Sequence, residues 1–343
     1  MHSDEFWALS AVEQIERLTK LAEKALTHWG VSSEPRLIKY RENAVFAVTD
    51  QAGRPAALRI HRQNYHSDAS LAAELEWMSM LSDSGVQTPA AIAAASGEVM
   101  VKVSAEFVPG EWQVDMLKWL SGRPLGAIGE PLDLPGAGEV EVFTAVGATL
   151  ARLHDLTAAW PRQKTLPRHA WDIDGLVGDE PFWGQFWALA ALTDAQRQLF
   201  LAAKEALSQD LAFYGQSDSN YGLIHADFVP ENVLLDDATV QVIDFDDAGF
   251  GWHMFDLVTA VYWLGEEPAY IDIKEALLAG YQSVRSLADR DLETWDMFAA
   301  ARSLTYLGWV HTRQNSSEAA EMTPMIVDMA TAACQTYLEG RRV

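Results

Sequence analysis

Three polar side chains within residues 221–256 have the types and spacing that phosphoryl transfer requires. Asp227 follows a short apolar run, Asn232 comes five residues later, and Asp244 comes twelve residues after that. A carboxylate such as Asp227 can orient a hydroxyl group and accept its proton. The amide oxygen of Asn232 and the anionic oxygen of Asp244 are ligands that suit Mg²⁺ shared with nucleotide phosphates. The stretch could therefore supply a base and metal-held phosphates, the minimal requirements for phosphoryl transfer.

Strand signals surround these residues and indicate how they are positioned. The apolar runs 233–235 and 240–243 are rich in β-branched residues and are separated by Asp-Asp, which predicts two strands joined by a tight turn. Another apolar run, 223–224, precedes Asp227. We expect the polar side chains to lie in loops at the ends of rigid strands.

The motif H-A-D-F-V-P-E-N at 225–232, followed by I-D-F-D at 243–246, resembles the catalytic and metal-binding loops of the protein-kinase-like fold. It is most similar to the aminoglycoside phosphotransferase and choline kinase branch, which includes fructosamine kinases and type II homoserine kinases. The resemblance implies that Asp227 is the catalytic base, that Asn232 and Asp244 bind Mg²⁺, and that ATP is the phosphate donor.

The same resemblance, which spans roughly residues 20–315, implies a fold class and a domain division. The class is α+β, with a small N-terminal lobe built on an antiparallel sheet and a larger, mainly helical C-terminal lobe. We place the nucleotide-covering lobe at residues 1–120 and the catalytic and substrate lobe at residues 121–343.

Departures from the protein-kinase pattern favour a small-molecule kinase. Ala226 and Val229 stand where Ser/Thr protein kinases carry Arg and Lys, and Asp246 replaces the glycine of D-F-G. Asp256 follows Asp244 by only twelve positions, which leaves no room for a long activation segment. Two alternatives stay open, a Ser/Thr protein kinase of the same fold and a catalytically silent nucleotide-binding relative. Phosphate incorporation into a generic protein would support the first, and a melting temperature unchanged by nucleotide with Mg²⁺ would support the second.

The resemblance also predicts nucleotide contacts in the N-terminal lobe. Arg59 stands where kinases carry the phosphate-binding lysine, and Glu74, on the next predicted helix, would pair with it. No G-x-G-x-x-G is present, so the phosphate lid would be the segment around Asn43. Backbone groups from Lys118 to Leu120 would form the hinge that binds adenine. The alternatives are an exposed strand arginine and a solvated helix glutamate.

C-terminal helices wall the acceptor site in this branch, and His253 lies just beyond the metal-binding loop. The acceptor candidates are therefore His253, Trp263, Glu266, Glu267, Arg302 and Tyr306. Residues 159–190 contain several tryptophans, which could line a box for a cationic substrate or form core.

Apolar periodicity predicts helices at 10–29, 67–81, 142–156, 195–213, 254–264, 268–284, 289–312 and 317–340. On the helices that begin at 142 and 254, His154 and Asp256 are expected to support the catalytic loop structurally.

The composition limits the choice of partners. With 25 Lys and Arg against 49 Asp and Glu in 343 residues, the formal charge is −24, which disfavours nucleic acid and anionic membranes. Such a surface attracts cationic substrates such as amines, or serves only solubility. Cys334 is the single cysteine, so no intrachain disulfide forms, and no stretch has the apolar length of a membrane helix. We expect a cytoplasmic enzyme, and leave open its oligomeric state, whether the donor is ATP or GTP, and which amino alcohol, sugar, sugar-amine or aminoglycoside it phosphorylates.

Overall fold

Residues 3–130, 132, 134, 138–314 and 316–341 are described by a computed structural model. The chain divides into two units, Met1–Ser121 and Gly122–Val343. The first is built on an antiparallel sheet and the second is mainly helical, as the resemblance predicts.

The first unit contains a five-stranded antiparallel sheet in the order β1-β2-β3-β5-β4. Its elements are α1 (Ser3–Trp7), α2 (Ala11–Leu26), β1 (Arg36–Tyr40), β2 (Ala44–Thr49), β3 (Pro55–Ile60), α3 (Asp68–Asp83), β4 (Met100–Ser104) and β5 (Glu111–Lys118). Alternate residues of β2 are buried, because successive side chains of a strand point to opposite faces. Helix α2 begins with the predicted capping box, in which Ser10 and Glu13 exchange hydrogen bonds.

Helices dominate the second unit, and two small sheets hold its loops. Its elements are β6 (Arg123–Pro124), α4 (Glu139–Ala159), β7 (Ala170–Trp171), α5 (Ile173–Val177), α6 (Asp194–Tyr214), β8 (Tyr221–Ile224), β9 (Val233–Asp236), β10 (Thr239–Val242), β11 (Gly249–Trp252), α7 (His253–Val261), α8 (Tyr270–Gln282), α9 (Asp289–Leu292), α10 (Trp295–Thr312) and α11 (Ser317–Gly340). One sheet has the order β10-β9-β6 and the other β7-β11-β8.

The predicted hairpin at 233–242 is present, but the sequence did not predict strand β11, which pairs antiparallel with β8. Two glycines explain the omission. A Cβ at Gly251 would lie 2.5 Å from the side chain of Ile224, and one at Gly249 would lie 2.7 Å from the carbonyl oxygen of His169. Close approach therefore requires glycine here, although glycine weakens the strand signal in the sequence.

Close packing also joins α4 to α8. A Cβ at Gly147 would lie 2.0 Å from the carbonyl oxygen of Leu277, and one at Gly280 would lie 2.0 Å from that of Thr144. The two helix backbones are thus in direct contact, which fixes the helix that carries His154.

The sequence predicts one continuous helix over 289–312. This prediction is wrong, because the structure has two separate helices there, α9 and α10. The hydroxyl of Thr294, between them, donates to the carbonyl oxygen of Asp291 at 2.6 Å. A side chain that bonds the local backbone competes with the helical pattern. Beyond the break, Cys334 of α11 is buried with its sulfur 3.8 Å from the hydroxyl of Ser303 on α10.

Within the described ranges, every helix falls short of the length and apolar character needed to cross a membrane.

Candidate active site

The loop after β8 is held in a left-handed turn by a buried carboxylate. Ala226 has a φ of 64°, a conformation that L-residues with a side chain rarely adopt. The backbone N–H groups of His225 and Ala226 donate to Asp256 at 2.9 and 2.6 Å. His154 contacts the same carboxylate through Nε2 at 3.0 Å. The predicted supporting roles of Asp256 and His154 are confirmed by these contacts.

The protonation states of this support follow from burial. Burial lowers the pKa of His154 well below its ordinary value, so the ring is neutral. Its Nε2–H donates to Asp256, which leaves Nδ1 to accept from the hydroxyl of Tyr281 at 2.8 Å. Burial raises the pKa of Asp256 to about 6, against the opposing effect of the N–H groups that it binds.

Both carboxylate oxygens of Asp227 are held, yet the group stays reachable. Oδ2 accepts from Nδ2 of Asn232 at 2.9 Å, and Oδ1 accepts from Nη2 of Arg302 at 2.6 Å. The side chain retains 23% exposure. A fixed and accessible carboxylate is what a substrate hydroxyl needs for orientation.

Asn232 is oriented so that its amide oxygen remains for a cation. Its Nδ2 donates to both the carbonyl oxygen and Oδ2 of Asp227 at 2.9 Å. Because both partners are acceptors, the nitrogen must face them. The backbone of Ile243 donates to the carbonyl oxygen of Asn232 at 2.9 Å, which ties this residue to the strand that precedes Asp244. An amide oxygen and a carboxylate on tied loops fit Mg²⁺.

Arg302 connects Asp227 to the C-terminal helices. Besides Asp227, its Nη2 donates to the hydroxyl of Tyr306 at 2.6 Å, and Nε1 of Trp263 donates to the same hydroxyl at 2.8 Å. Three of the predicted acceptor residues (Trp263, Arg302 and Tyr306) therefore form one chain of contacts that ends at Asp227.

The other acceptor candidates lie elsewhere in this unit. His253 stacks on His154 with ring centroids 4.4 Å apart, and both rings line a cavity of about 270 Å³. Glu266 is exposed, and a carboxylate oxygen of Glu267 accepts from the backbone of Leu132 at 3.3 Å. Their substrate roles stay predictions.

The tryptophan-rich segment contacts the loop that follows Asp244. Trp171 and His169 bond the carbonyl oxygen of Asp247 at 2.8 and 3.1 Å, and Arg168 donates to the carbonyl oxygens of residues 245, 246 and 248. Trp171 is 0% exposed and Trp183 7%, which supports the core alternative for these two rings. Sequence reasoning missed Arg168 because its acceptors lie some eighty residues further along the chain.

In the first unit, the predicted pair of Arg59 and Glu74 is present, with Nη1 of Arg59 2.9 Å from the carboxylate. Arg59 also donates to both oxygens of Asp115, at 2.9 and 2.7 Å, and His61 contacts Asp115 at 2.8 Å. Although burial acts in the opposite direction, the charges of Arg59 and His61 hold the pKa of Asp115 well below its usual range. Sequence reasoning missed Asp115, whose signal is an acid directly flanked by the apolar residues Val114 and Met116 of β5.

The remaining nucleotide candidates are also in this unit. Asn43 lies in the turn between β1 and β2, where its side-chain oxygen accepts from the backbone of Arg62 at 3.2 Å. The N–H of Lys118 donates to the carbonyl oxygen of Ala90 at 2.8 Å, and Leu120 follows the end of β5.

Comparison with known proteins agrees with this geometry. Residues 36–297 match the phosphotransferase enzyme family. The structure of a microcompartment-associated aminopropanol kinase superposes with a TM-score of 0.82 at 31% identity, covering 94% of this chain and 98% of that one.

Two further relatives extend the comparison. Homoserine kinase of Gluconacetobacter diazotrophicus is 30% identical over 259 residues, 70% of this chain and 72% of that protein. An amicoumacin kinase, whose structure contains AMP-PNP and Ca²⁺, shares the fold with a TM-score of 0.75 at 21% identity, covering 94% of each chain. The chain therefore belongs to the phosphotransferase enzyme family and is a small-molecule kinase of protein-kinase-like fold.

Proposed function

We propose that this enzyme transfers the γ-phosphate of ATP to the hydroxyl group of a short amino alcohol. The observation that carries the proposal is Asp227, a partly exposed carboxylate with each oxygen fixed by a separate donor. Such a group can orient a hydroxyl for in-line attack. A cytoplasmic setting, where ATP is available, belongs to the same proposal.

The transfer breaks the bond between the γ-phosphorus and its bridging oxygen, and forms a bond from that phosphorus to the acceptor oxygen. Asp227 orients the acceptor hydroxyl and takes its proton. ADP leaves with the electrons of the broken bond, so the products are a phosphate monoester, ADP and a proton. Because the transition state of such transfers is loose, positioning by Asp227 contributes more than basicity.

Asn232 and Asp244 are the residues that would hold Mg²⁺, which screens phosphate charge when bound. Arg59, braced by Glu74 and Asp115, would bind the phosphates that are not transferred. In the proposed hinge, Lys118 and Trp119 already donate their N–H groups to Ala90 and Pro55. The N–H of Leu120 is therefore the donor we assign to adenine.

Two of the relatives that reach 30% identity support the choice of acceptor. One acts on aminopropanol and the other on homoserine. Both molecules are short, and each carries a hydroxyl and an amine. The formal charge of −24 also favours a cationic acceptor.

The test is ATP consumption with Mg²⁺ against 1-amino-2-propanol, ethanolamine, homoserine, choline, an aminoglycoside and casein, with Asp227→Asn as the control enzyme. We expect turnover of one short amino alcohol and none in the variant. Turnover of an aminoglycoside alone would overturn the acceptor class, and phosphorylation of casein alone would favour a protein kinase. No turnover of any acceptor, together with no stabilisation by AMP-PNP and Mg²⁺, would favour a silent relative.

A further inference from the structure

Arg302 is buried beside Asp227 in a way that packing alone does not explain. Its side chain is 0% exposed, and Nη2 makes the bonds to Asp227 and Tyr306. In the part of the chain that the structure describes, Nε and Nη1 of Arg302 have no hydrogen-bond partner. A buried guanidinium with unsatisfied donors is unfavourable, so its contact with Asp227 indicates a functional requirement.

Aromatic rings stabilise this cation in place of water. The guanidinium carbon of Arg302 lies 4.2 Å from the ring centroid of Tyr306, 4.9 Å from that of Trp183 and 5.4 Å from that of Phe255. Rings at such distances attract a guanidinium through their quadrupoles. They also occupy the space around it and limit its movement.

Trp183 makes a second contact, to the loop after Asp244. Its indole Nε1 donates to Oδ1 of Asp247 at 3.2 Å. Trp171 packs edge-on against Trp183 at 5.3 Å and donates to the carbonyl oxygen of Asp247. The ring of Trp183 therefore contacts both Arg302, which binds Asp227, and the loop after Asp244.

We propose that Trp183 is a positioning residue that links Arg302 to Asp247, so that the base and the metal-binding loop are held in one arrangement before substrates bind. The proposal rests on the proposed function, because it assigns Asp227 and Asp244 their roles there. Small displacements of reacting groups lower rates strongly, which gives such a link its value.

The first experiment removes the indole N–H and keeps a ring, with Trp183→Phe. The matched control is Trp252→Phe, because Trp252 is also buried and donates its indole N–H to the carbonyl oxygen of Gly215 at 2.8 Å. Supporting contacts to metal ligands typically contribute about tenfold or more, so we expect kcat of Trp183→Phe to fall about tenfold with little change in the KM of the acceptor.

A second readout does not depend on turnover. Mn²⁺ titration in the presence of AMP-PNP, followed by electron paramagnetic resonance, should show about tenfold weaker binding in Trp183→Phe. Trp252→Phe should retain the wild-type kcat and Mn²⁺ affinity.

The link itself is tested by the double variant Trp183→Phe, Arg302→Lys. If the two residues act through each other, the double variant loses less kcat than the product of the two single losses. A loss equal to that product would overturn the link.

Unchanged kcat and Mn²⁺ affinity in Trp183→Phe, with a thermal midpoint lowered as in Trp252→Phe, would reduce Trp183 to core and overturn the proposal. If wild-type protein phosphorylates no acceptor, the proposed function fails, and the Mn²⁺ titration still decides the contact with the metal-binding loop.

Discussion

At the scale of single residues, two of the four non-glycine residues with positive φ in the described ranges lie in the loops assigned to the proposed chemistry. Ala226 and Asp244 have φ values of 64° and 65°, and each adjoins or is a residue assigned to phosphoryl transfer. A left-handed residue with a side chain costs about 1–2 kcal/mol. The buried carboxylate of Asp256, which accepts from the backbone N–H groups of His225 and Ala226, helps to hold the conformation of Ala226. Such strain is typical of functional loops that the surrounding structure over-determines.

Replacing Asp227 tests the base. Asp227→Asn keeps the size of the side chain, but it replaces one of the two fixed acceptor oxygens with an NH2 group and cannot accept a proton, so we expect kcat to fall by at least about 100-fold. Stabilisation by AMP-PNP and Mg²⁺, read as a shift in thermal midpoint, should be retained. Asp218→Asn, at an exposed carboxylate paired with Lys164, is the control. Wild-type turnover by Asp227→Asn would contradict the assignment.

Asp115 offers a second test, in the first unit. Asp115→Asn removes the buried charge that accepts from Nε and Nη2 of Arg59, and breaking a buried ion pair typically costs about 3–5 kcal/mol of stability. We also expect a higher KM for ATP, because Arg59 loses its fixed orientation. Kinetics and urea unfolding measure the two effects, with Asp68→Asn, in the half-exposed pair with Lys102, as control. Equal KM and stability in both variants would show that Asp115 does not orient Arg59.

At the scale of elements, the contact of α4 with α8 is set by two glycines. Gly147→Ala places a methyl group against the carbonyl oxygen of Leu277, and Gly280→Ala does so against that of Thr144. Overpacking of this kind costs about 1–3 kcal/mol or more, because backbone must move.

We expect each variant to lower the free energy of unfolding measured in urea by at least that amount. Gly340→Ala, at the end of α11 with nothing near its Cβ, should be neutral or slightly stabilising. If Gly147→Ala matched Gly340→Ala in stability, the close contact would be refuted.

The elements also show what sequence can predict. The hairpin at 233–242 has β-branched runs and a turn signal in adjacent residues, so local information suffices. Strand β11 and the contacts of residues 168–183 depend on partners far along the chain, such as Asp247 and Arg302. Sequence alone therefore left two interpretations of the tryptophan-rich segment, a box for a cationic substrate or core. Arg59 and Glu74 were predictable from motif position, whereas Asp115 required the register of β3 against β5.

At the scale of the whole molecule, two buried histidines predict loss of stability in acid. Burial lowers the pKa of both His154 and His253 well below their ordinary values. At these two sites the unfolded chain therefore binds more protons than the folded chain below about pH 6.5, so their contribution to the free energy of unfolding falls as pH falls. Asp256, whose pKa is raised to about 6, acts in the opposite direction between its unfolded value and pH 6.

His253→Gln isolates one of these contributions, because Asp256 is present in both proteins. We expect the slope of unfolding free energy against pH, between about 4.5 and 6.5, to decrease by up to about 1.4 kcal/mol per pH unit. Urea unfolding at a series of pH values measures it, with exposed His28→Gln as control. An unchanged slope in His253→Gln would mean that the ring is protonated in the folded protein.

The buried thiol on α11 has a practical consequence. Cys334 is the only cysteine of the chain, it is 0% exposed, and burial raises its pKa to about 12. The thiolate is the reactive species, so alkylating reagents should not react with Cys334 in the native protein. They should modify this single thiol only after α10 and α11 separate. A new surface cysteine could then carry a fluorophore without prior removal of Cys334, while slow alkylation of Cys334, followed by mass spectrometry, would report how often this helix pair opens.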